Sequence, residues 1–196
     1  MSTVSATSTP PAEPASDPAY ARFETRRLIL RRPAPGDEAD LIALDALPDV
    51  TAYLAMRGVD PARLAERIAP RIELSQKDPG AAYGWWVILD KASGAFLGRA
   101  LLAPLWPGSE ITEFGAYLGK ASRSQGYATE AGTALLDHAF KSLKLAHVVG
   151  CTKRGERPIE RLLRRLHFTH QGKITLYGTD ADRYVVNSDG WLPRRR

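Results

Sequence analysis

Two hydrophobic periods alternate along this chain. Leu28, Ile29 and Leu30 sit in a short apolar run that ends at Pro33, which predicts a strand over Phe23–Arg32. After Pro35-Gly36-Asp37, Ala39, Leu41, Ile42 and Leu44 take up helical spacing, and a short helical piece is expected over Val50–Met56. Asp60 and Pro61 form an N-cap and first-turn pair for a helix whose Leu64, Ile68 and Ile72 recur every four residues. The middle of the chain then reads as strands. Tyr83–Leu89 and Ala95–Leu105 flank an Asp90–Gly94 turn as a hairpin, and Ile111–Leu118 follows the Pro107-Gly108 turn. Helical spacing returns over Ala128–Leu143, with Leu135, Leu136, Ala139, Phe140 and Leu143 on one face. A strand at Ala146–Thr152, a basic helix at Pro158–Leu166 and strands at Phe168–Tyr177 and Ala181–Asn187 complete the order. Strands with helices on some crossovers imply a mixed α/β sheet.

The chain has 196 residues, 44% of them hydrophobic, enough for one domain over 21–190. Residues 1–20 are rich in Ser, Thr, Ala and Pro, contain no Lys or Arg before residue 20, and read as a mobile tail; 191–196 read as a basic tail. The single cysteine, Cys151, allows no intrachain disulfide and suits a reducing, cytoplasmic setting. No apolar run is long enough to span a membrane. The net charge of +5 suits an anionic partner, but three of the arginines are the last three residues, so charge alone decides little.

The segment that carries chemistry is Leu118-Gly-Lys-Ala-Ser-Arg123-Ser-Gln-Gly126-Tyr-Ala128-Thr129-Glu130-Ala131. A strand ends, a polar turn follows and a helix begins. Free amides and the macrodipole at a helix start favour a phosphate. Gly126 lets backbone approach such a ligand, Ala128 and Ala131 keep the first turns slim, and Arg123 can add a charged donor. The chain has neither a P-loop nor a Gly-x-Gly-x-x-Gly fingerprint.

The run Arg123-Ser-Gln-Gly126-Tyr-Ala128 resembles the Arg/Gln-x-x-Gly-x-Gly/Ala signature of the GNAT N-acetyltransferase superfamily. Its extension to Glu130-Ala131 is similar to the branch that acetylates ribosomal-protein N-termini and small amines. Glu24-Thr-Arg-Arg-Leu28-Ile-Leu-Arg31, Pro35-Gly-Asp37, Trp86-Val-Ile88, Ala95-Phe-Leu-Gly98, Glu113-Phe-Gly115, and Arg161-Leu-Leu163 with Phe168 resemble further blocks of that branch, from about Phe23 to Tyr184. The resemblance implies a central, mostly antiparallel, twisted sheet with splayed middle strands and flanking helices. It implies acetyl-CoA as cosubstrate and no metal. The pantetheine arm would meet backbone near Tyr117 and Leu118, and the pyrophosphate would rest on the amides of Ser124, Gln125, Gly126, Tyr127, Ala128 and Thr129, with Arg123 beside them.

Acyl transfer to an amine needs a neutral amine, donors for the developing oxyanion and a departing thiolate. Glu113, on the strand feeding the turn and on the same face as Gly115 and Tyr117, is the candidate base, and an amide near Leu118 the implied oxyanion donor. Tyr177 is the candidate acid. Three positions depart from the family pattern: Glu156 stands where Asn is usual, Ile159 where Ser is usual and His167 where Gly is usual. The expected reaction is acetyl transfer to a primary amine, on a protein N-terminus or a small molecule, by a monomer or homodimer. The departures raise a second reading, a catalytically weak sensor of CoA or of a protein partner. Cys151 reads as a small buried thiol, the four histidines form no convincing metal set, and Trp85, Trp86 and Trp106 read as hairpin packing. The basic run through Arg161, Arg164 and Arg165 reads as a solvated face that could instead hold the 3′-phosphate of CoA. Without an aromatic stacking set or a recognised motif, it argues weakly for nucleic acid.

Overall fold

The computed structural model of the chain describes residues 16–191. The expected tails therefore lie outside the described residues for 1–15 and 192–196. Ser16 to Tyr20 and Trp191, placed within those tails by sequence, are tied to the domain: Ser16 donates to Asp78 at 2.7 Å and the Asp17 amide to the Gly80 carbonyl at 2.9 Å. Pro18–Ala21 forms a 3₁₀ turn, and the Tyr20 carbonyl accepts from Trp86 Nε1 at 2.9 Å. Trp191, 1% exposed, donates to Asp137 at 2.8 Å.

Among the described residues, eight strands form one sheet in the spatial order β1-β2-β3-β4-β5-β6-β8-β7. They are β1 (Arg22–Glu24), β2 (Leu28–Arg31), β3 (Gly84–Asp90), β4 (Phe96–Pro104), β5 (Thr112–Leu118), β6 (His147–Thr152), β7 (Thr169–Leu176) and β8 (Thr179–Asn187). Every neighbouring pair is antiparallel except β5 and β6. The single strand expected over Phe23–Arg32 is thus a tight β1–β2 pair, because the polar run Thr25-Arg26-Arg27 turns the chain back on itself.

Six α-helices among the described residues flank the sheet: α1 (Glu38–Asp45), α2 (Pro48–Met56), α3 (Leu64–Lys77), α4 (Tyr127–Asp137), α5 (Arg157–Arg165) and α6 (Ser188–Trp191). Period-2 alternation assigns each strand residue to a face. Trp86 and Ile88 join Leu135, Leu136 and Leu163 under α4 and α5. Trp85 and Val87 join Leu41, Ile68 and Ile72 under α1 and α3. The helix expected to run unbroken to Leu143 instead widens at Asp137 into a π-helical turn, His138–Ser142, which buries His138 and Phe140 and ends at Lys144 with φ 55°.

Two ion networks fix the frame. Arg31 pairs with both oxygens of Asp37 at 2.7 and 2.8 Å, and Asp37 also accepts from the Ala34 amide. Glu130 of α4 accepts from Thr25 Oγ1 (2.6 Å), the Arg27 amide (2.8 Å) and Arg27 Nε (2.7 Å). Arg27 also donates to the Gln125 carbonyl and lies 4.5 Å from the Tyr127 ring centroid. The opening motif and the glycine-bearing turn, about a hundred residues apart, are therefore one construction: the first positions the second.

Candidate active site

β5 and β6 share one register pair, Glu113 with Val149, and no other among the described residues. Beyond it the strands part. The Gly119 amide donates to the Leu97 carbonyl, so by alternation the main-chain groups of Leu118 point away from β4 and into the opening. A cleft of about 410 Å³ lies there, lined by Tyr117, Leu118, Arg123, Ser124, Gly126, Tyr127, Ala128 and Thr129 on one side. Thr152, Lys153, Glu156, Ile159, Arg161 and Arg165 close the other side.

The turn into α4 explains its own sequence. Ser124 has φ 63° and Gly126, the N-cap of α4, has φ 83°; Gly126 offers no side-chain acceptor to the first amides of the helix. Those amides have no carbonyl one turn behind them. A Cβ on Gly126 would sit 3.3 Å from Arg27 Nη2 in a backbone conformation that strains L residues. The open turn, its amides, the parted strands and the cationic wall formed by Lys153, Arg161 and Arg165 fit a long anionic thioester such as acetyl-CoA.

Each residue singled out in the sequence has a definite place. Of the nine expected to hold the cosubstrate, Gln125 alone does not line the cleft; its side chain folds back to the Ala121 carbonyl at 2.7 Å. Arg123 lines the cleft, yet its Nε holds the Leu118 carbonyl at 3.0 Å and its Nη2 holds Asp49 at 3.0 Å, so it ties α2 to the turn. Glu113 is 5% exposed and lies at the point where the strands part. Tyr177, expected on a strand, occupies a two-residue turn between β7 and β8 with φ 50°, followed by Gly178 at φ 81°. It is 57% exposed and lines a second cavity, not the cleft. His167 has φ 64° just past α5, the left-handed conformation that glycine would adopt without strain. Glu156 and Ile159 both face the cleft, and Trp86 is core, whereas Trp85 and Trp106 line the second cavity. The basic helix is not merely solvated, since Arg161 and Arg165 reach the cleft wall.

Sequence reasoning missed what surrounds Glu113. Tyr53 Oη donates to Glu113 Oε1 at 3.0 Å, and Arg57 bridges both carboxylate oxygens at 3.1 and 3.0 Å. Tyr53 lies on α2 and Arg57 caps its C-terminal end, about sixty positions upstream, and only their four-residue spacing hinted at joint action. Burial pushes the Glu113 carboxyl up to about 7, against the downward pull of Arg57 and Tyr53. Burial is the largest influence on Arg57 and lowers it, but the Glu113 charge, together with smaller contributions from Tyr53, Tyr117 and Cys151, holds the guanidinium above its ordinary value. Burial likewise pushes the Cys151 thiol up to about 12, which leaves it inert.

The second cavity, about 400 Å³, lies on the far side of Tyr53 and Tyr117, which line both spaces. Glu113 faces this second cavity. Two cavities that share Tyr53 and Tyr117 in their walls, one opening onto a helix-start turn and the other bearing the buried Glu113 carboxyl, suit transfer between an anionic cosubstrate and a second substrate.

The family comparison agrees. The chain belongs to the GNAT acetyltransferases: the model described as "Acetyltransferase (GNAT) domain" matches residues 27–169. It is accordingly an N-acetyltransferase, of a family whose cosubstrate is acetyl-CoA. Comparison with curated protein sequences returns no match. Among solved structures, the chain is similar to the acetyltransferase from Agrobacterium tumefaciens str. C58, with a TM-score of 0.70 at 23% identity over 85% of this chain and 94% of that one. It is similar to a GNAT-family acetyltransferase from Bacillus anthracis, with a TM-score of 0.68 at 18% identity over 86% and 99%. It also resembles the ribosomal-protein-S5-alanine acetyltransferase from Vibrio fischeri, with a TM-score of 0.62 at 17% identity over 87% and 98%. Among the described residues no helix is long and apolar enough to cross a membrane.

Proposed function

We propose that this enzyme acetylates a primary amine in the cytoplasm by direct attack on the thioester, with the amine entering from the second cavity and Glu113 as its base. The observation that carries this reading is the position of Glu113: buried, pushed up to about 7, and facing a cavity that shares Tyr53 and Tyr117 with the wall of the cosubstrate cleft. An alkyl ammonium has a pKa of about 10.4, so a base poised near neutrality lowers the barrier to a reactive amine. Tyr53 and Arg57 aim the carboxylate. The Leu118 amide, turned into the opening, meets the carbonyl oxygen as it gains charge. The bound cosubstrate supplies the activated acetyl group.

The amine nitrogen forms a bond to the acetyl carbon and the carbon–sulfur bond breaks. Glu113 takes the amine proton, and a thiolate departs. Burial pushes the Tyr117 phenol up to about 12, so it stays protonated and hydrogen-bonds the departing sulfur without surrendering its proton. A thiol pKa of about 8.5 lies above that of Glu113, so the proton Glu113 has taken flows downhill to the thiolate. We assign no proton-donating role to Tyr177, which lines only the second cavity at its exposed rim.

Calorimetric titration with acetyl-CoA, followed by thiol release over an amine panel, tests this reading. We expect binding by the native chain and its loss in Gly126→Glu, with circular dichroism unchanged. Unaltered affinity in Gly126→Glu removes the turn from the site. Binding without turnover of any amine favours a sensor, the reading to which Glu156 and Ile159 in the cleft wall lend weight.

A further inference from the structure

The second cavity has an unexpected charge. A pocket built for a plain alkylammonium ion gains from carboxylates, but the lining here carries four arginines, Arg57, Arg67, Arg71 and Arg99, and a single acid, Glu113. Two carboxylates hold three of these cations. Glu113 pairs with Arg57 at 3.0 Å. Asp45, fully buried behind the wall, is shared between Arg99 at 2.6 Å and Arg67 at 2.7 Å. Arg71 has no carboxylate partner among the described residues; its guanidinium lies 5.6 Å from the Trp85 ring centroid.

The cluster is crowded. Arg99 is 1% exposed and lies between Trp85 and Tyr117, 4.2 and 4.3 Å from their ring centroids. Burial lowers the Arg67 pKa, the charge of Arg99 lowers it further, and Arg71 adds to the same repulsion. In a partly enclosed space such an excess of positive charge is relieved by an anion. Guanidinium groups also match the planar fork of a carboxylate or a phosphate face.

We propose that the acceptor is a small primary amine that itself carries a carboxylate or phosphate, which docks against Arg71 and Arg67 while the amine reaches Glu113. This rests on the acetyl-transfer reading above and names the substrate class of that same site. The volume of about 400 Å³, with the exposed Trp106 and Tyr177 in its lining, suits a molecule of amino-acid size more than a folded protein terminus.

The test uses the full chain and matched acceptors at fixed acetyl-CoA. β-Alanine is compared with propylamine, 2-aminoethyl phosphate with ethanolamine, and an uncharged amidated tetrapeptide stands for a protein N-terminus. We expect kcat/KM to favour the anionic member of at least one pair by about tenfold or more, the difference lying in KM; which pair responds separates carboxylate from phosphate. Arg71→Glu should cut that preference ratio about tenfold, and Arg71→Lys, which keeps the charge and loses the fork, should cut it by less than Arg71→Glu does. Equal or reversed preference within both pairs, a ratio indifferent to Arg71→Glu, or the uncharged peptide as the best acceptor overturns the proposal. If no amine of any kind turns over, the acetyl-transfer reading fails separately. The anion site is then judged by titrating succinate and inorganic phosphate into the native chain and Arg71→Glu. Binding lost in the variant upholds the site; absence of binding to the native chain rejects it.

Discussion

Replacing Tyr53 by phenylalanine removes one oxygen from the site and leaves the packing of α2 intact. That oxygen donates to Glu113 Oε1 at 3.0 Å, beside Arg57 Nη1 on the same acceptor at 3.1 Å. Burial, and then the Glu113 charge, hold the Tyr53 phenol well above its ordinary value, so it remains a donor at every working pH. A donor stabilises the ionised carboxylate, and a hydrogen bond to a charged group is worth about 1.5–3 kcal/mol. At about 1.36 kcal/mol per pKa unit, its loss moves Glu113 up by about one unit, with Arg57 closing in to absorb the remainder. The sign follows from the base role. Glu113 works when deprotonated, so the ascending limb of kcat/KM against pH moves to higher pH in Tyr53→Phe, and the alkaline plateau is largely kept. Thiol release measured across about pH 5.5–9.5 with the same amine for both proteins cancels the amine's own titration, because only the enzyme differs. A limb that stays where it was, or moves toward acid, refutes the placement of Tyr53 as a donor to a working base.

Three further outcomes follow from the geometry. Glu113→Gln should lower kcat by about 10²-fold or more and abolish the limb near pH 7; an unchanged pH profile strips Glu113 of its role. Glu130→Ala removes the acceptor of three hydrogen bonds between the β1–β2 turn and α4, and should cost about 2–4 kcal/mol of stability, seen as a lower denaturant midpoint with an unchanged slope. Gly132 packs where an added Cβ would come within 2.6 Å of Leu166 and 2.9 Å of Phe114; Gly132→Ala should therefore destabilise by about 1–3 kcal/mol despite alanine's better helix propensity, and a stabilised variant would mean the α4–β5 contact is looser than the structure has it.

Most elements were legible because their causes are local. Asp60 and Pro61 start a helix wherever they stand together, Gly126 can adopt a positive φ that other residues resist, and Trp85 to Leu89 face alternate sides of any sheet that contains them. The β1–β2 turn was missed because apolar residues on both sides masked a polar three-residue reversal. The π-helical turn was missed because its 3.6-residue pattern continues unbroken, and only packing around His138 and Phe140 opens the wider turn. Tyr177 was misplaced because a two-residue turn with glycine second leaves little trace in hydrophobic pattern.

The sequence by itself determined the fold class, the strand–turn–helix proposed to receive the cosubstrate and the position of the carboxyl at its head, since each is written in short motifs along the chain. Only the tertiary structure decided the state and company of that carboxyl. Burial raises it to about 7, and α2, from far upstream, brings Tyr53 and Arg57 to it. The arginine-lined cavity beyond it has the same origin: Arg57 at the end of α2, Arg67 and Arg71 on α3, and Arg99 on β4 meet only when the helices close over the sheet. Electrostatic energy depends on distance in space and on exclusion of water, neither of which the order of residues records.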